Sequence, residues 1–341
     1  MSTQQASEDP DGPERLWAAP GRRRRLQAAA MPLVVLGATV ALFGMLLGPK
    51  YFSPFALSLI FQQVTITAMV AAAQALVIIT GGIDLSLGAI MVVGMVVMGQ
   101  AVFTWGWPAW LALLLGLACG AACGGVNGLL VTRVRLPPFI VTLGTWQIFS
   151  TAGYLLSGHE IIRSQDVDEV APLLHLMGLS LKLGGAVVTL GGAAMILLLA
   201  VLWYILARTA WGRHAYAVGD DAEAAALTGL PVARIRTTAY AAAGFVAALA
   251  GWVMIGRIGS ITPTVGELVN IEAITAAVIG GVSLGGGRGS ILGALTGALI
   301  VGAFSLGLRL LGSNQQWITV AIGGCTILAV MLDARLRRLA A

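Results

Sequence analysis

Long apolar runs, separated by short polar, basic or glycine-rich segments, make up most of the chain after residue 30. A membrane-spanning helix needs about 20 predominantly apolar residues. Runs of this kind lie at 31–48, 56–80, 87–104, 109–132, 139–157, 183–207, 237–258, 270–284, 290–311 and 315–333. The pattern predicts an all-α, polytopic membrane protein with about ten transmembrane helices. Boundaries are least defined within 56–104 and 259–290, where glycines interrupt the apolar pattern.

The first glycine interruption surrounds an isolated acid. Asp84 is the one charged residue from Tyr51 to Thr132, and it lies in the sequence Thr80-Gly-Gly-Ile-Asp-Leu-Ser-Leu-Gly88. An acid at the bilayer centre costs a few kcal/mol and needs a compensating reason. The glycines predict a break that frees backbone N–H groups, and Asp84 is predicted to cap the helix that follows. Two roles stay open: Asp84 is a cap alone, or a cap that also lines or gates a pathway.

A second glycine-rich interruption, Gly280–Gly289, predicts another broken or re-entrant segment. The sequences Ile79-Thr-Gly-Gly82 and Ile279-Gly-Gly281 echo each other. The two copies are an even number of predicted spans apart, so the echo does not by itself support an inverted repeat. Candidate residues for a helix break or a pathway are Gly81, Gly82, Asp84, Ser86, Asn127, Thr142, Gly280 and Gly281.

Composition agrees with a chain solvated mainly by lipid. The sequence is 58% apolar and 10% charged, whereas a soluble domain carries about 25% charged residues. The net charge of +5 does not indicate nucleic-acid binding, because the basic residues cluster in short loops and tails. Such clusters mark the cytoplasmic side of a membrane protein, and an even number of spans places both termini there. We expect a disordered basic tail at 1–30, a membrane domain at 31–333 and a basic tail at 334–341.

Two longer loops flank the later spans. Residues 158–182 are acidic and are predicted to lie outside, either as a solvated loop or as a docking or gating surface for an external partner. Residues 208–236 are predicted to be cytoplasmic and to contain a short helix, which Asp220 and Glu223 start as a capping box and Gly229 ends. A helix of about 12 Å is unstable alone, so it is predicted to dock into a cytoplasmic protein; an ordinary structured loop is the alternative. The residues assigned to this helix are Asp220, Asp221, Glu223, Ala224, Ala225, Leu227 and Gly229.

The sequence offers no nucleotide-hydrolysing motif. The glycine-rich stretch Gly285-Gly-Gly-Arg-Gly-Ser290 lacks the lysine and the spacing of a P-loop. The histidines are scattered and form no metal or catalytic constellation. Cys119 and Cys123 lie one helical turn apart in an apolar run, as is typical of small packing residues. We therefore expect a protein that is not an enzyme and that binds no metal or cofactor itself.

Several blocks resemble, in order, the permease subunits of bacterial ABC importers for monosaccharides, the ribose/xylose/arabinose type. The resemblance covers nearly the whole chain after residue 50. It is carried by Thr80–Gly88, Asn127–Leu130, Leu136–Gly144, Gly212–Gly219, Glu223–Gly229 and Ala276–Gly289. The sequence departs from the family twice: Asp221-Ala222 stands where the family has Asn-Pro, and Asn270-Ile271-Glu272 stands where it has Glu-Leu-Asp.

The resemblance implies a type II-like permease of the bacterial inner membrane that moves a small neutral sugar or polyol. It implies an ATPase partner with two fused nucleotide-binding domains that uses ATP and Mg, an external sugar-binding protein, and a second permease copy or paralogue. The short cytoplasmic helix would contact the ATPase. Asn270 and Glu272 are candidates for an external gate or binding-protein contact, and Glu267 and Glu272 are expected to face water or the binding protein. Polar residues within the spans, such as Gln74 and Gln147, are interpreted as interhelical hydrogen-bonding groups or as weak contacts to sugar hydroxyls.

Other functions remain to be weighed against this one. An ABC permease for another solute, such as a branched-chain amino acid or an autoinducer sugar, has the same architecture. An ion-coupled secondary transporter using Asp84 as its ion site is a hypothesis from another class. An intramembrane enzyme is disfavoured, because no nucleophile with a base and no metal set is present in the sequence.

Overall fold

The computed structural model describes residues 22–338, and most of the predicted N-terminal tail and the last three residues lie outside this range. The first helix begins at Arg22, so residues 22–30 of the predicted tail are helical. The helices are α1 Arg22–Leu47, α2 Pro54–Ile79, α3 Leu87–Phe103, α4 Ala109–Thr132, α5 Pro138–Leu156, α6 Ser164–Val170, α7 Pro172–His175, α8 Leu190–Arg208, α9 Ala210–Asp220, α10 Ala222–Leu227, α11 Val232–Ile258, α12 Gly266–Ile279, α13 Ile291–Leu310 and α14 Gln315–Arg338. Two strands follow α7: β1 Ser180–Leu183 and β2 Ala186–Thr189.

Within the described residues, seven helices are long and apolar enough to cross a membrane, namely α1, α2, α4, α5, α8, α11 and α13. Two further apolar helices, α3 and the Leu268–Ile279 part of α12, are shorter. The predicted count of about ten spans is not confirmed by this measure. The shortening has a physical cause, because α3 and α12 each adjoin one of the glycine-rich interruptions.

The centre of the bundle is α2. It contacts α3, α8, α11, α12 and α13, and from Val64 to Ile79 every residue is buried. A helix that is apolar on all sides is expected in such a central position. The break that follows Ile79 therefore lies inside the protein and not at its lipid-facing surface.

Glycines bring α4 and α11 into close contact. A Cβ atom built on Gly120 would lie 2.6 Å from the Gly244 carbonyl oxygen, and one on Gly124 would lie 2.2 Å from the Tyr240 carbonyl oxygen. The interpretation of these glycines as small residues for close helix packing is confirmed.

Adjacent glycines of α4 provide a matched test of this packing. Gly124→Ala is expected to destabilise the protein by about 1–3 kcal/mol, because the new methyl group overlaps the backbone of α11. Gly125→Ala is expected to leave stability unchanged or to raise it, since the nearest heavy atom would be 4.0 Å away. The measurement is thermal unfolding of each purified variant in the same detergent. Equal unfolding midpoints for the two variants would contradict the assigned interface.

The connection between α5 and α8 contains two short strands as well as helices, so the chain is mostly and not entirely helical. β1 and β2 form an antiparallel hairpin in which Ser180 pairs with Thr189 and Leu183 with Ala186. Gly184 and Gly185 make the turn with φ of 57° and 88°, values that glycine adopts without steric cost. As a result, α8 begins at Leu190 and not at the predicted residue 183.

Candidate translocation site and coupling segment

The first helix break has the geometry that its glycines predict. After α2 ends, Gly81 adopts φ of 81° and the Gly82 N–H donates to the Val77 carbonyl (3.1 Å). The chain then runs without regular structure to Leu87, where α3 begins. We call residues 80–86 the break loop.

Side chains from five different helices hydrogen-bond the break loop, and the carbonyls of three consecutive residues each receive a donor. Inside a membrane such backbone groups must find protein partners. With its amide oriented by its neighbours, Gln74 of α2 also accepts from the Asp84 N–H. Thr142 Oγ1 of α5 (3.2 Å) and Tyr240 OH of α11 (3.4 Å) both donate to the Ile83 carbonyl. Gln74 Nε2 donates to the Asp84 carbonyl (2.8 Å), and Asn270 Nδ2 of α12 donates to the Leu85 carbonyl (2.6 Å). Asn127 of α4 bonds to side chains of the loop.

Asp84 is fully buried within this set. Its Oδ1 accepts from the Ser86 N–H (2.8 Å) and the Ser86 hydroxyl (2.6 Å). Asn127 Nδ2 donates to Ser86 Oγ (2.7 Å) and to Asp84 Oδ2 (3.4 Å). The prediction that Asp84 caps the next helix is wrong in its geometry: Ser86 is the N-cap of α3, and no side chain caps that helix. Asp84 instead closes a local Asx-type turn and ties it to α4.

Burial limits what these residues do in this conformation. Asp84, Ser86, Asn127 and Thr142 are each 0% exposed, so they meet around the break loop but face no open passage. Gln74 hydrogen-bonds the backbone of the break loop, and not another helix as interpreted from the sequence. Gln147, by contrast, is exposed on α5 and has no hydrogen-bond partner among the described residues.

The second break repeats the backbone turn of the first. After α12 ends, Gly281 adopts φ of 84°, and the Val282 N–H donates to the Ala277 carbonyl (3.0 Å). The sequence echo therefore corresponds to a shared way of ending α2 and α12. Gly280 packs against the Gly293 carbonyl at the start of α13.

The two breaks meet at the end of α9. The Gly287 N–H donates to the Ile79 carbonyl (3.0 Å), and a Cβ atom on Gly286 would lie 2.4 Å from the Gly219 carbonyl oxygen and 3.0 Å from Gly81 Cα. A Cβ atom on Gly219 itself would lie 1.8 Å from the Ile79 carbonyl oxygen. We call this contact of Ile79, Gly81, Gly219, Gly286 and Gly287 the glycine junction.

Two polar side chains support the glycine junction. The Tyr216 hydroxyl of α9 donates to the Gly289 carbonyl (2.9 Å), and Arg236 Nε of α11 donates to the Thr80 carbonyl (3.1 Å). Burial raises the pKa of Tyr216, so its phenol stays protonated and able to donate at neutral pH. Both contacts join residues 208–236 to the ends of the broken helices.

The short helix α10 follows the glycine junction directly. Its N-cap is Asp221, whose Oδ1 accepts from the N–H groups of Glu223 and Ala224 (2.9 Å each). This corrects the predicted capping box, because Asp220 is the last residue of α9. Gly229 ends the segment with φ of 84°, as predicted. Leu227 is 90% exposed and Ala225 is the one buried residue of the helix, so α10 presents an apolar side chain to the solvent.

Asn270 and Glu272, the predicted external gate or binding-protein contact, lie inside the bundle. Asn270 is 7% exposed and Glu272 is 6% exposed, so Glu272 does not face water. Its Oε2 accepts from Gln63 Nε2 and Thr67 Oγ1 (3.1 Å each), and Gln63 Oε1 accepts from Arg257 Nη2 (2.8 Å). This network joins α2, α11 and α12 within the bundle. The side chain of Glu267 lies outside the described part of the structure.

No group of three His, Cys, Asp or Glu side chains among the described residues is placed to hold a metal ion. Helices broken inside a bundle, with polar side chains holding the interrupted backbone, are characteristic of membrane transport proteins. The fold and the site thus define a multi-pass transport protein.

Comparison with known sequences identifies the family. Residues 56–331 match the family described as branched-chain amino acid transport system / permease component, and the chain belongs to this family of inner-membrane permeases. It is 55% identical over 313 residues to the fructose import permease protein FrcC of Rhizobium meliloti, covering 92% of this chain and 87% of that protein.

More distant relatives also match over most of both chains. The ribose import permease protein RbsC of Bacillus subtilis is 35% identical over 296 residues, which is 85% of this chain and 88% of RbsC. The autoinducer 2 import system permease protein LsrC of Photorhabdus luminescens is 36% identical over 308 residues, or 89% of this chain and 90% of LsrC. No solved structure matches the chain significantly.

Proposed function

We propose that this chain is the permease subunit of an ATP-driven importer that takes a small neutral sugar from an external binding protein into the cytoplasm. The relatives named for fructose and ribose import support a monosaccharide, and fructose is the first solute to test. The observation that carries the mechanism is the link from α10, through the glycine junction, to both broken helices.

Energy would enter through α10. An ATPase subunit with two fused nucleotide-binding domains would use ATP and Mg, and the exposed Leu227 would occupy an apolar cleft on it. When the ATPase domains close, α10 and α9 would move together, because Asp220 and the cap Asp221 are adjacent. The glycine junction would pass this movement to the ends of α2 and α12. Alternating access is then a two-state equilibrium that ATP biases from inside and the loaded binding protein biases from outside.

The topology follows from the same proposal. Ten segments would cross or enter the membrane: the seven long helices, the shorter α3 and α12, and α14. Both termini would then lie in the cytoplasm with residues 208–236, while residues 158–182 would face the binding protein. A second permease copy or a paralogue would complete the pathway, and the tails 1–30 and 334–341 would be cytoplasmic.

The function is tested by reconstitution in proteoliposomes. The permease is incorporated with and without its ATPase subunit, and uptake of labelled fructose is measured with the loaded binding protein outside and ATP inside. We expect uptake when both the ATPase and ATP are present, and no uptake when either is left out. Gradient-driven uptake by the permease alone would favour an ion-coupled carrier and would contradict the proposal.

The exposed face of α10 provides a direct test of the ATPase contact. Leu227→Asp is expected to reduce co-purification of the ATPase subunit by about tenfold or more, because a carboxylate would enter an apolar cleft. Leu181→Asp is the matched control, since Leu181 is 72% exposed on the external hairpin. Both variants should insert into the membrane in normal amounts. Normal ATPase binding by Leu227→Asp would rule out this contact.

A further inference from the structure

A segment of irregular backbone descends along α3 into the membrane domain. Gly259 ends α11 with φ of 74°, and Ile261 Cδ1 would lie 2.7 Å from a Cβ atom on Gly99, near the outer end of α3. Five residues later, the Gly266 carbonyl would lie 2.5 Å from a Cβ atom on Gly88, at the inner end of α3. The two α3 positions are about 16 Å apart at 1.5 Å per residue, and the segment between the two contacts includes a turn at residues 263–265.

Most of this segment lacks backbone hydrogen bonds. Ile261 exchanges two bonds with Ile162 (3.0 and 3.1 Å). Beyond it, the N–H groups of Thr262, Thr264 and Val265 have no acceptor among the described residues. Irregular backbone at membrane depth is tolerated only where protein covers it or where it lines a water-filled cavity. Thr264 is exposed and Thr262 is partly buried, so the described residues of this chain leave Thr264 uncovered.

The inner end of the segment lies against α3, close to α5. α3 contacts α5, and α3 and α12 contact each other. Val92 of α3 lies against Gly153 of α5 and against Gly266. Gly266 therefore lies near the contact between α3 and α5. At its lower end, Gly88 closes on Gly266 next to the break loop, whose Leu85 carbonyl is held by Asn270 (2.6 Å).

We infer that residues 259–266 form one wall of the sugar pathway, with the Thr262 and Thr264 hydroxyls as polar contacts for the passing solute. This assignment rests on the proposed function. The two hydroxyl groups hydrogen-bond each other (3.1 Å), and together with the unpaired N–H groups they offer both donors and an acceptor. A neutral polyhydroxylated solute needs both kinds of partner and no charge. Contacts of this kind are weak and exchangeable, which suits passage better than tight retention.

The break loop forms the floor of this pathway. The Gly88–Gly266 contact lies at the start of α3 and of α12, and α12 leads to the second break and the glycine junction. Movement of the junction by α10 would shift α12 relative to α3 and separate Gly88 from Gly266. The pathway wall and the glycine junction thus lie at opposite ends of α12.

The assignment is tested by cysteine accessibility in the complete transporter, with Cys119, Cys123 and Cys325 replaced by serine. Thr264→Cys is compared with two controls: Ile261→Cys, at a position 2% exposed, and Leu197→Cys, 67% exposed on the lipid-facing surface of α8. A hydrophilic, membrane-impermeant thiol reagent is added from outside. Thr264→Cys is expected to react at least about tenfold faster than either control, because the thiolate forms only where water reaches it. A rate no faster than that of Leu197→Cys would overturn the assignment.

A second variant tests the role of the hydroxyls. The double variant Thr262→Val, Thr264→Val keeps the side-chain shapes and should fold and bind the ATPase normally. Its fructose uptake is expected to fall about tenfold, because the unpaired backbone groups and the passing solute lose the two hydroxyl groups as hydrogen-bond partners. Unchanged uptake would overturn the contact role. Labelling needs no transported solute, so failure of the pathway assignment is distinguishable from failure of the proposed function.

Discussion

Replacing Asp84 by alanine is expected to remove most of the folded protein from the membrane. The substitution leaves two buried donors without an acceptor, namely the Ser86 N–H and the Ser86 hydroxyl, and removes one of the two acceptors of the Asn127 amide. An unpaired buried group costs about 1–3 kcal/mol, and the total stability of a protein is about 5–15 kcal/mol. The expected loss of several kcal/mol is measured as the folded fraction after membrane extraction and as the thermal unfolding midpoint in detergent.

Ser305→Ala is the matched control for this prediction. Ser305 is also buried in a membrane helix, 3% exposed, but its hydroxyl has no partner among the described residues. Removing it leaves no group unpaired, so stability should stay the same or rise. If Asp84→Ala behaves like Ser305→Ala, the break loop does not depend on Asp84 and its place in this account is wrong.

Gly219→Ala is expected to uncouple ATP hydrolysis from sugar transport. The new methyl group would lie 1.8 Å from the Ile79 carbonyl oxygen and 2.6 Å from the Gly287 nitrogen, within the hydrogen bond that joins the two breaks. Both neighbours are backbone atoms, so the end of α9 must move away. The transporter should then hydrolyse ATP while importing several-fold fewer sugar molecules per ATP, measured in proteoliposomes.

Two further variants separate coupling from general damage. Gly124→Ala also introduces a backbone overlap, at 2.2 Å, in the α4–α11 interface; it should lower the amount of folded protein and leave the ratio of sugar to ATP unchanged. Tyr216→Phe removes only the bond to the Gly289 carbonyl and should lower that ratio to a smaller extent than Gly219→Ala. A normal ratio in Gly219→Ala would show that the glycine junction does not carry the movement.

Local chemistry was sufficient to predict both breaks and the short helix α10. A glycine with positive φ follows α2, α12 and α10 at positions that the sequence indicates, because only local backbone freedom is needed there. The association of Asn127 and Thr142 with the break also follows from a local rule. A polar side chain in an apolar span needs a partner, and the break supplies unpaired backbone.

Features that depend on distant packing could not be predicted in this way. Tyr240 and Asn270 reach the break loop from helices far along the chain, and no periodicity links them to Asp84. The choice of Asp221 over Asp220 as the cap depends on where α9 ends, and α9 continues to Asp220 because Gly219 fits against Ile79.

The burial of Glu272 was missed for a similar reason. Hydropathy alone places this residue near the outer end of a span. In the structure, the face of α12 that carries Glu272 packs against α2, where Gln63 and Thr67 hydrogen-bond the carboxylate.

The most direct test of the account is whether α10 and the second break move as one body. Spin labels at Glu223→Cys and Arg288→Cys, both exposed positions, are introduced into the assembled transporter after replacement of the native cysteines, and their separation is measured with and without ATP. We expect this distance to stay the same, while the distance from Arg288→Cys to a label at Leu181→Cys on the β1–β2 hairpin changes. A change between Glu223→Cys and Arg288→Cys, with the distance to the external hairpin constant, would contradict it.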